Sequence, residues 1–194
     1  MVFLRNMLAL VSKRDRLAQR IYDQCVAAAR APQHYGDGAA ADSVDGRFAV
    51  LALHLFIAAR RLQQAGPEGK ALVQSLIDCF IRDMDRNLRE MGAGDVGVAK
   101  NVKQMAKALN GQFHAYERAV KEGPDALRAS LLRNVLARPD EATDEQALAA
   151  ARRLAGYAYA QMLYLSLQPD TVCLAGRCPM QPAPTGYGED RTPT

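Results

Sequence analysis

Tryptophan is absent from this 194-residue chain, and aromatic residues make up only 6% of it. The aromatics are not interleaved with the main basic stripe, so the stacking platforms of sequence-specific nucleic-acid readers are missing. Long hydrophobic runs are missing as well. The longest, Phe48 to Ala59, is twelve residues and contains His54; a bilayer-spanning helix needs about 20. The apolar N-terminal run is broken by Arg5 and Asn6, and Lys13-Arg14-Asp15-Arg16 stands where a signal peptide would be cleaved. The expectation is a soluble protein, at most peripheral to a membrane.

Cysteine and histidine are also scarce. Cys25 and Cys79 stand singly within predicted helices, where a free thiol packs as a small hydrophobe. Cys173 and Cys178 lie close together, but no second Cys/His pair follows, and His34, His54 and His114 are scattered. Neither a disulfide framework nor a metal site is expected, and a reducing compartment fits. Charge is nearly balanced: 25 Lys and Arg against 21 Asp and Glu, a net +4. The excess sits at the front, since residues 1–66 hold nine basic and five acidic side chains. Such a surplus permits anionic partners without demonstrating them.

What is present is helical periodicity. Phe3, Leu4, Met7, Leu8 and Val11 predict a short amphipathic helix. Leu17, Ile21, Tyr22, Cys25 and Val26 predict a second piece ending near Arg30. Residues 32–43 read as a loop. Asp45 is the expected N-cap of a helix that is apolar nearly all round, and therefore central. Gly66 ends it and Pro67 opens the next. That next helix carries Val73, Leu76, Ile77, Phe80, Met84, Leu88 and Met91 on one stripe, with Gly92 as its C′ residue. Val98, Val102, Met105, Leu109, Phe113, Tyr116 and Val120 mark the most regular helix. A shorter one follows Gly123-Pro124 and stops at Pro139. A Thr143/Gln146 capping box starts the last, which runs to about Leu167. The prediction is all-α: a single bundle of six to seven helices, with an N-terminal extension and loop over 1–43, a main domain over 44–167 and a flexible Pro-rich tail over 168–194.

Candidate chemistry is thin. Gly92-Ala93-Gly94-Asp95-Val96-Gly97 fits G-x-G-x-x-G, but a dinucleotide site needs a strand before the glycines and here a helix precedes them. Asp78, Asp83 and Asp85 lie among Arg82, Arg86 and Arg89, and residues two apart on a helix diverge, so a charged surface is the better reading than a catalytic pair. His54 reads as a core histidine bonded to a neighbouring helix. No nucleophile–base pair is legible. Lys100, Lys103, Lys107, His114, Arg118 and Lys121 form one basic stripe, opposite the apolar face of their helix. It reads either as a wet face or as a dock for ribosomal RNA, lipid head groups or an acidic partner.

One stretch carries a resemblance. Leu53-His54, Arg61-Leu62, Gly66, Glu68-Gly69 and Met91-Gly92 occur in order, with Arg82-Asp83-Met84-Asp85-Arg86 between, and Lys100, Met105, Tyr116 and Arg133-Asn134 follow. From about Val44 to Leu165 the chain resembles the ubiquinol–cytochrome c chaperone family, bacterial type. Mitochondrial relatives carry tryptophans around the Leu-His segment; this chain has Phe48 and Phe56.

The resemblance implies a non-enzymatic assembly factor of the cytochrome bc1 complex, with no cofactor and no small-molecule substrate. Mitochondrial members bind newly made cytochrome b, with a small partner protein, near the ribosomal exit tunnel. A bacterial-type member is expected in the cytoplasm or at the inner membrane's cytoplasmic face, the counterpart of the mitochondrial matrix side. The client would be cytochrome b or another bc1 subunit, held in an apolar groove with a polar rim. The expected groove residues are Phe48, His54, Phe56, Phe80 and Met84. The expected charged contacts are Arg82, Asp83 and Arg86 on a partner-facing surface, and Lys100, Lys103, Lys107 and Arg118, whose basic stripe would meet a ribosome or an anionic membrane. The alternative is a helical scaffold that docks an acidic partner or a membrane surface through the basic face. An enzyme built on Asp78, Asp83 and Asp85 is a remote third.

Overall fold

The computed structural model describes residues 2–35, 39–92, 94–136 and 145–183, and of residues 2–12 the backbone only. Its helices are α1 (Val2–Ala29), α2 (Val44–Gln64), α3 (Gly66–Glu90), α4 (Asp95–Glu122), α5 (Pro124–Asn134), α6 (Glu145–Ser166) and α7 (Asp170–Leu174). Among the described residues the only β feature is a single bridge, Tyr35 to Ala40. The all-α expectation holds.

Helix α2 is the axis of the bundle. It packs against α1, α3, α4, α6 and α7, while α5 bridges α4 and α6. Its near-complete apolarity has the predicted consequence: Val50, Leu53, Leu55, Ile57, Ala58 and Leu62 are all essentially inaccessible. Ser43, rather than Asp45, caps it, its Oγ accepting from the Gly46 amide at 3.2 Å. Asp45 sits in the first turn, where its charge complements the helix dipole.

The two N-terminal pieces are one helix. Ser12-Lys13-Arg14-Asp15-Arg16 contains neither proline nor glycine, so nothing breaks the chain between them. The side chains of Phe3, Leu4, Met7, Leu8 and Val11 lie outside the described residues. From Ala18 onward α1 buries Ile21, Tyr22, Cys25 and Ala29. Two polar stitches hold it to α3. Ser75 Oγ accepts from Arg14 Nε and donates to Asp15 Oδ1, both at 3.1 Å, and Tyr22 Oη donates to Asp83 Oδ2 at 2.8 Å.

The corner between α2 and α3 is tight. Gly66 adopts φ 76°, and a Cβ on Gly69 would stand 1.9 Å from the Leu62 carbonyl oxygen. Only glycine lets the two backbones approach so closely. Gly69→Ala is therefore expected to cost about 2–3 kcal/mol, as overpacking against backbone does, and to lower the melting temperature accordingly. An unchanged melting temperature would show that the corner relaxes freely. Gly92, with φ 84°, ends α3 as expected, Gly94 stands at the N-cap of α4 and Gly97 lies within that helix.

The C-terminal segment differs from the expected tail. Residues 168–183 are folded on the bundle. Arg61, 6% exposed, donates to the Leu165 and Gln168 carbonyls at 2.8 and 2.6 Å and to Asp170 Oδ1 at 2.6 Å. This caps the end of α6 and fixes α7. Gln24 of α1 donates to the Gly176 carbonyl at 3.0 Å and accepts from the Cys178 amide at 3.0 Å; Gln161 of α6 brackets Gln181 in the same way, at 2.9 Å each. Cys173 and Cys178 are both buried. Composition alone suggested disorder here, but bonds from α1, α2 and α6 order the segment. Thr143, Pro139 and residues 184–194 lie outside the described residues.

Candidate functional site

The second half of α3 leaves the core. Leu72, Leu76 and Phe80 are buried, whereas Met84 and Leu88 are only half-buried and Met91 is 68% exposed. The same apolar stripe thus passes from core into a groove of about 410 Å³ enclosed by the end of α1, the start of α2, the end of α3 and the start of α4. Val26, Phe48, Leu51, Met84, Leu88 and Met105 give it an apolar lining, and Arg30, Asp45, Arg47, Asn87, Asn101 and Gln104 supply polar groups. Val44, at 64% exposure, and Met91 stand open to solvent beside it.

Two of the five expected groove residues are there. Phe48 and Met84 line it. Phe80 does not; it is buried behind Phe48, ring centroids 6.0 Å apart, and supports the wall from inside. Phe56 lies two turns further along α2, packed on Phe113 and Tyr116 at 5.8 and 5.4 Å. His54 is fully buried and also outside the groove.

His54 has a structural task instead. Its Nδ1 donates to the Val50 carbonyl at 2.8 Å, which leaves Nε2 to accept from the Tyr157 hydroxyl at 2.9 Å. This ties α2 to α6. His34 packs edge-on against both rings, at 5.2 and 5.1 Å. Burial pushes both imidazoles down to about 4, so each is neutral in the fold.

The charged candidates divide. Asp83 accepts from Tyr22 and pairs with Arg86, and its proximity and the burial of the ring drive the Tyr22 hydroxyl upward. Burial is the larger cause. Asp83 is thus a stitch between α1 and α3 that also borders the groove. Arg82 donates to Cys79 Sγ at 3.2 Å. Asp78 accepts from Gln74, and Asp85 pairs with Arg89, so the three aspartates are engaged separately. Among the described residues no three His, Cys, Asp or Glu side chains are placed to hold a metal ion. Lys100, Lys103, Lys107 and Arg118 are exposed on the outer face of α4, and Arg118 lies 3.8 Å from Glu122.

Sequence reasoning missed Val26, Arg30, Asn101, Gln104 and Met105 as groove residues. The available signal was the overlong apolar stripe of α3, which continues to Met91 after the core need is met at Phe80.

The chain is thus a helical bundle with an open apolar groove and a polar rim, and with Asp78, Asp83 and Asp85 engaged separately. Comparison with known proteins gives the family. Residues 37–180 match the pattern of the ubiquinol-cytochrome C chaperones, and the chain belongs to that family. It is similar to ubiquinol-cytochrome-c reductase complex assembly factor 1 of Xenopus laevis, 23% identical over 119 residues that cover 61% of this chain and 60% of that protein. The chain therefore spans less than two thirds of that relative's length. It is also similar to the crystal structure of the Cbp3 homolog from Brucella abortus, with a TM-score of 0.77 and 32% identity, covering 94% of this chain and 98% of that one. The family match extends beyond the expected stretch at both ends, and takes in α7 and Cys178.

Proposed function

We infer that the chain is a non-enzymatic assembly factor of the cytochrome bc1 complex, and that its groove holds a newly made membrane subunit, cytochrome b. The family supports the assembly role, and the groove beside Phe48 and Met84 is the observation that favours a client-holding mechanism. A volume of about 410 Å³ falls in the ordinary range for ligand sites. It accommodates the apolar side chains of about two helical turns, the usual anchor spacing of a helix laid in a groove. A whole membrane-spanning helix, about 30 Å long, is larger than this. The client would be held by one short stretch, with the side-chain amides of Asn101 and Gln104 at the rim to bond its backbone. A scaffold docking only through its basic face has no use for such a groove, which favours the chaperone reading.

Met84→Asp tests it. A carboxylate in the apolar lining must be desolvated when the client seats, and binding is expected to fall at least about tenfold. A photo-crosslinker placed at Met91 in the native host should recover cytochrome b from the otherwise wild-type protein and not from the Met84→Asp variant. A deletion strain should lose bc1 assembly, and the variant should fail to restore it. Full restoration by a folded Met84→Asp protein would remove the groove from the mechanism. Normal bc1 assembly in the deletion strain would remove the assembly role itself.

A further inference from the structure

Val96, Lys100, Lys103 and Lys107 follow one another at steps of four, three and four, and so share one stripe of α4. The stripe faces away from the bundle: Val98 and Leu109 are buried, whereas Val96 is 87% exposed and all three lysines are exposed. Between Val96 and Tyr116 there is no acidic residue. None of the three lysines joins an ion pair among the described residues. Asp95, the nearest acid, is held by Arg89. Further along, Arg118 and Lys121 face Glu122 and Glu117, so the free positive charge is concentrated in the first half of the helix.

Two of the five strongly exposed large apolar side chains among the described residues lie at that same end. Val96 opens the stripe, and Met91 stands across the turn from it at the end of α3. Free ammonium groups beside protruding apolar side chains are what a lipid interface rewards. Headgroups neutralise the charge while the apolar groups enter the headgroup layer. Binding to RNA would use the lysines but give Val96 and Met91 no role, and the stripe presents no stacking aromatic.

We propose that the first half of α4 docks the protein on an anionic lipid bilayer, with Lys100, Lys103 and Lys107 on the headgroups and Val96 and Met91 inserted between them. The groove residues Asn101, Gln104 and Met105 lie about a third of a turn around α4 from this stripe. The docked protein therefore opens its groove along the membrane surface. Met91 borders both the groove and this surface, whereas Lys100, Lys103 and Lys107 lie outside the groove, so the lysines separate membrane docking from the client assignment.

The test is flotation of the full chain with vesicles of phosphatidylcholine alone, and of phosphatidylcholine mixed with phosphatidylglycerol, across a salt series. The protein is expected to float with the anionic vesicles at low salt and to be released as salt rises. Each lysine near an anionic surface contributes roughly fivefold in partitioning, so the Lys100→Gln/Lys103→Gln/Lys107→Gln variant should bind roughly a hundredfold less well. Val96→Ser/Met91→Ser should weaken binding while keeping the salt dependence. All five positions are exposed, so circular dichroism and melting should match the wild type. Equal binding to both vesicle types, no binding to either, or a triple variant that floats like the wild type would each overturn the proposal. Retention on an RNA-coated resin without vesicle binding would overturn it in favour of RNA.

Discussion

Arg61→Ala is expected to cost about 3 kcal/mol and to loosen residues 168–183 from the bundle. The Arg61 guanidinium is 6% exposed and serves two carbonyls at the end of α6 and the Asp170 carboxylate. Those carbonyls are among the acceptors that a helix terminus leaves unpaired. Hydrogen bonds to a charged group are worth about 1.5–3 kcal/mol each and do not simply add. Because Asp170 is 56% exposed, its loss of a partner is largely made good by water. In a chain of this size the corresponding drop in melting temperature is about 6–12 °C. Arg61→Lys should recover little, since one ammonium cannot reproduce the planar fork that reaches three acceptors. The second readout is the reactivity of Cys173 and Cys178 towards a thiol reagent, which should rise in the variant. A variant that melts with the wild type and keeps both thiols protected would show that the segment is held by packing alone.

Mild acid is expected to destabilise the fold by an amount of similar size. His34 and His54 are held at about 4, against 6.5 in an unfolded chain, because burial disfavours the imidazolium. The unfolded state therefore binds more protons between those two values. Stability is complete above pH 6.5, is lost as pH falls toward 4, and loses nothing more from these groups below that. Fully realised, the loss is about 3 kcal/mol for His54, with a smaller share from His34. The Nδ1–H···O=C bond to Val50 persists in either charge state. The bond from Tyr157 does not, because a protonated Nε2 can no longer accept. Melting temperature measured from pH 7.5 to 4.5 should fall steeply below 6.5, and His34→Phe should flatten the curve in part. A level profile down to pH 5 would mean that the cluster is not buried neutral.

The bundle was legible because each main helix carries its own signal. Tyr116, Leu109 and Val98 recur at helical spacing and are all buried, and Gly66, Gly92 and Gly123 adopt the positive φ values that end their helices. Local periodicity reports which face turns inward, but not what it meets there. Phe48 and Phe80 are both apolar positions on their helices; one faces a gap and the other a neighbour, and that depends on where α1 ends and α4 starts. The folded C-terminal segment was illegible for a related reason. Its Pro and Gly content resembles a tail, while two of the side chains that order it, Gln24 and Arg61, belong to distant helices. His54 is intermediate. Its burial followed from the apolar helix around it, but its partner Tyr157 lies 103 residues away.

The Gln24 clasp on Gly176 and Cys178, 152 and 154 residues apart in the chain, sets an order of events during synthesis. Gln24 leaves the ribosome well before the backbone groups that it clasps. At about 5–20 residues per second, the interval is roughly 8–30 s. Throughout it, the nascent chain can form the bonds from α1 to α3 but lacks the Gln24 clasp. A message truncated after the codons for α6 would yield a protein with its long helices already made, but with their closing bond missing. Quality control would meet such a product as an almost finished bundle that cannot lock.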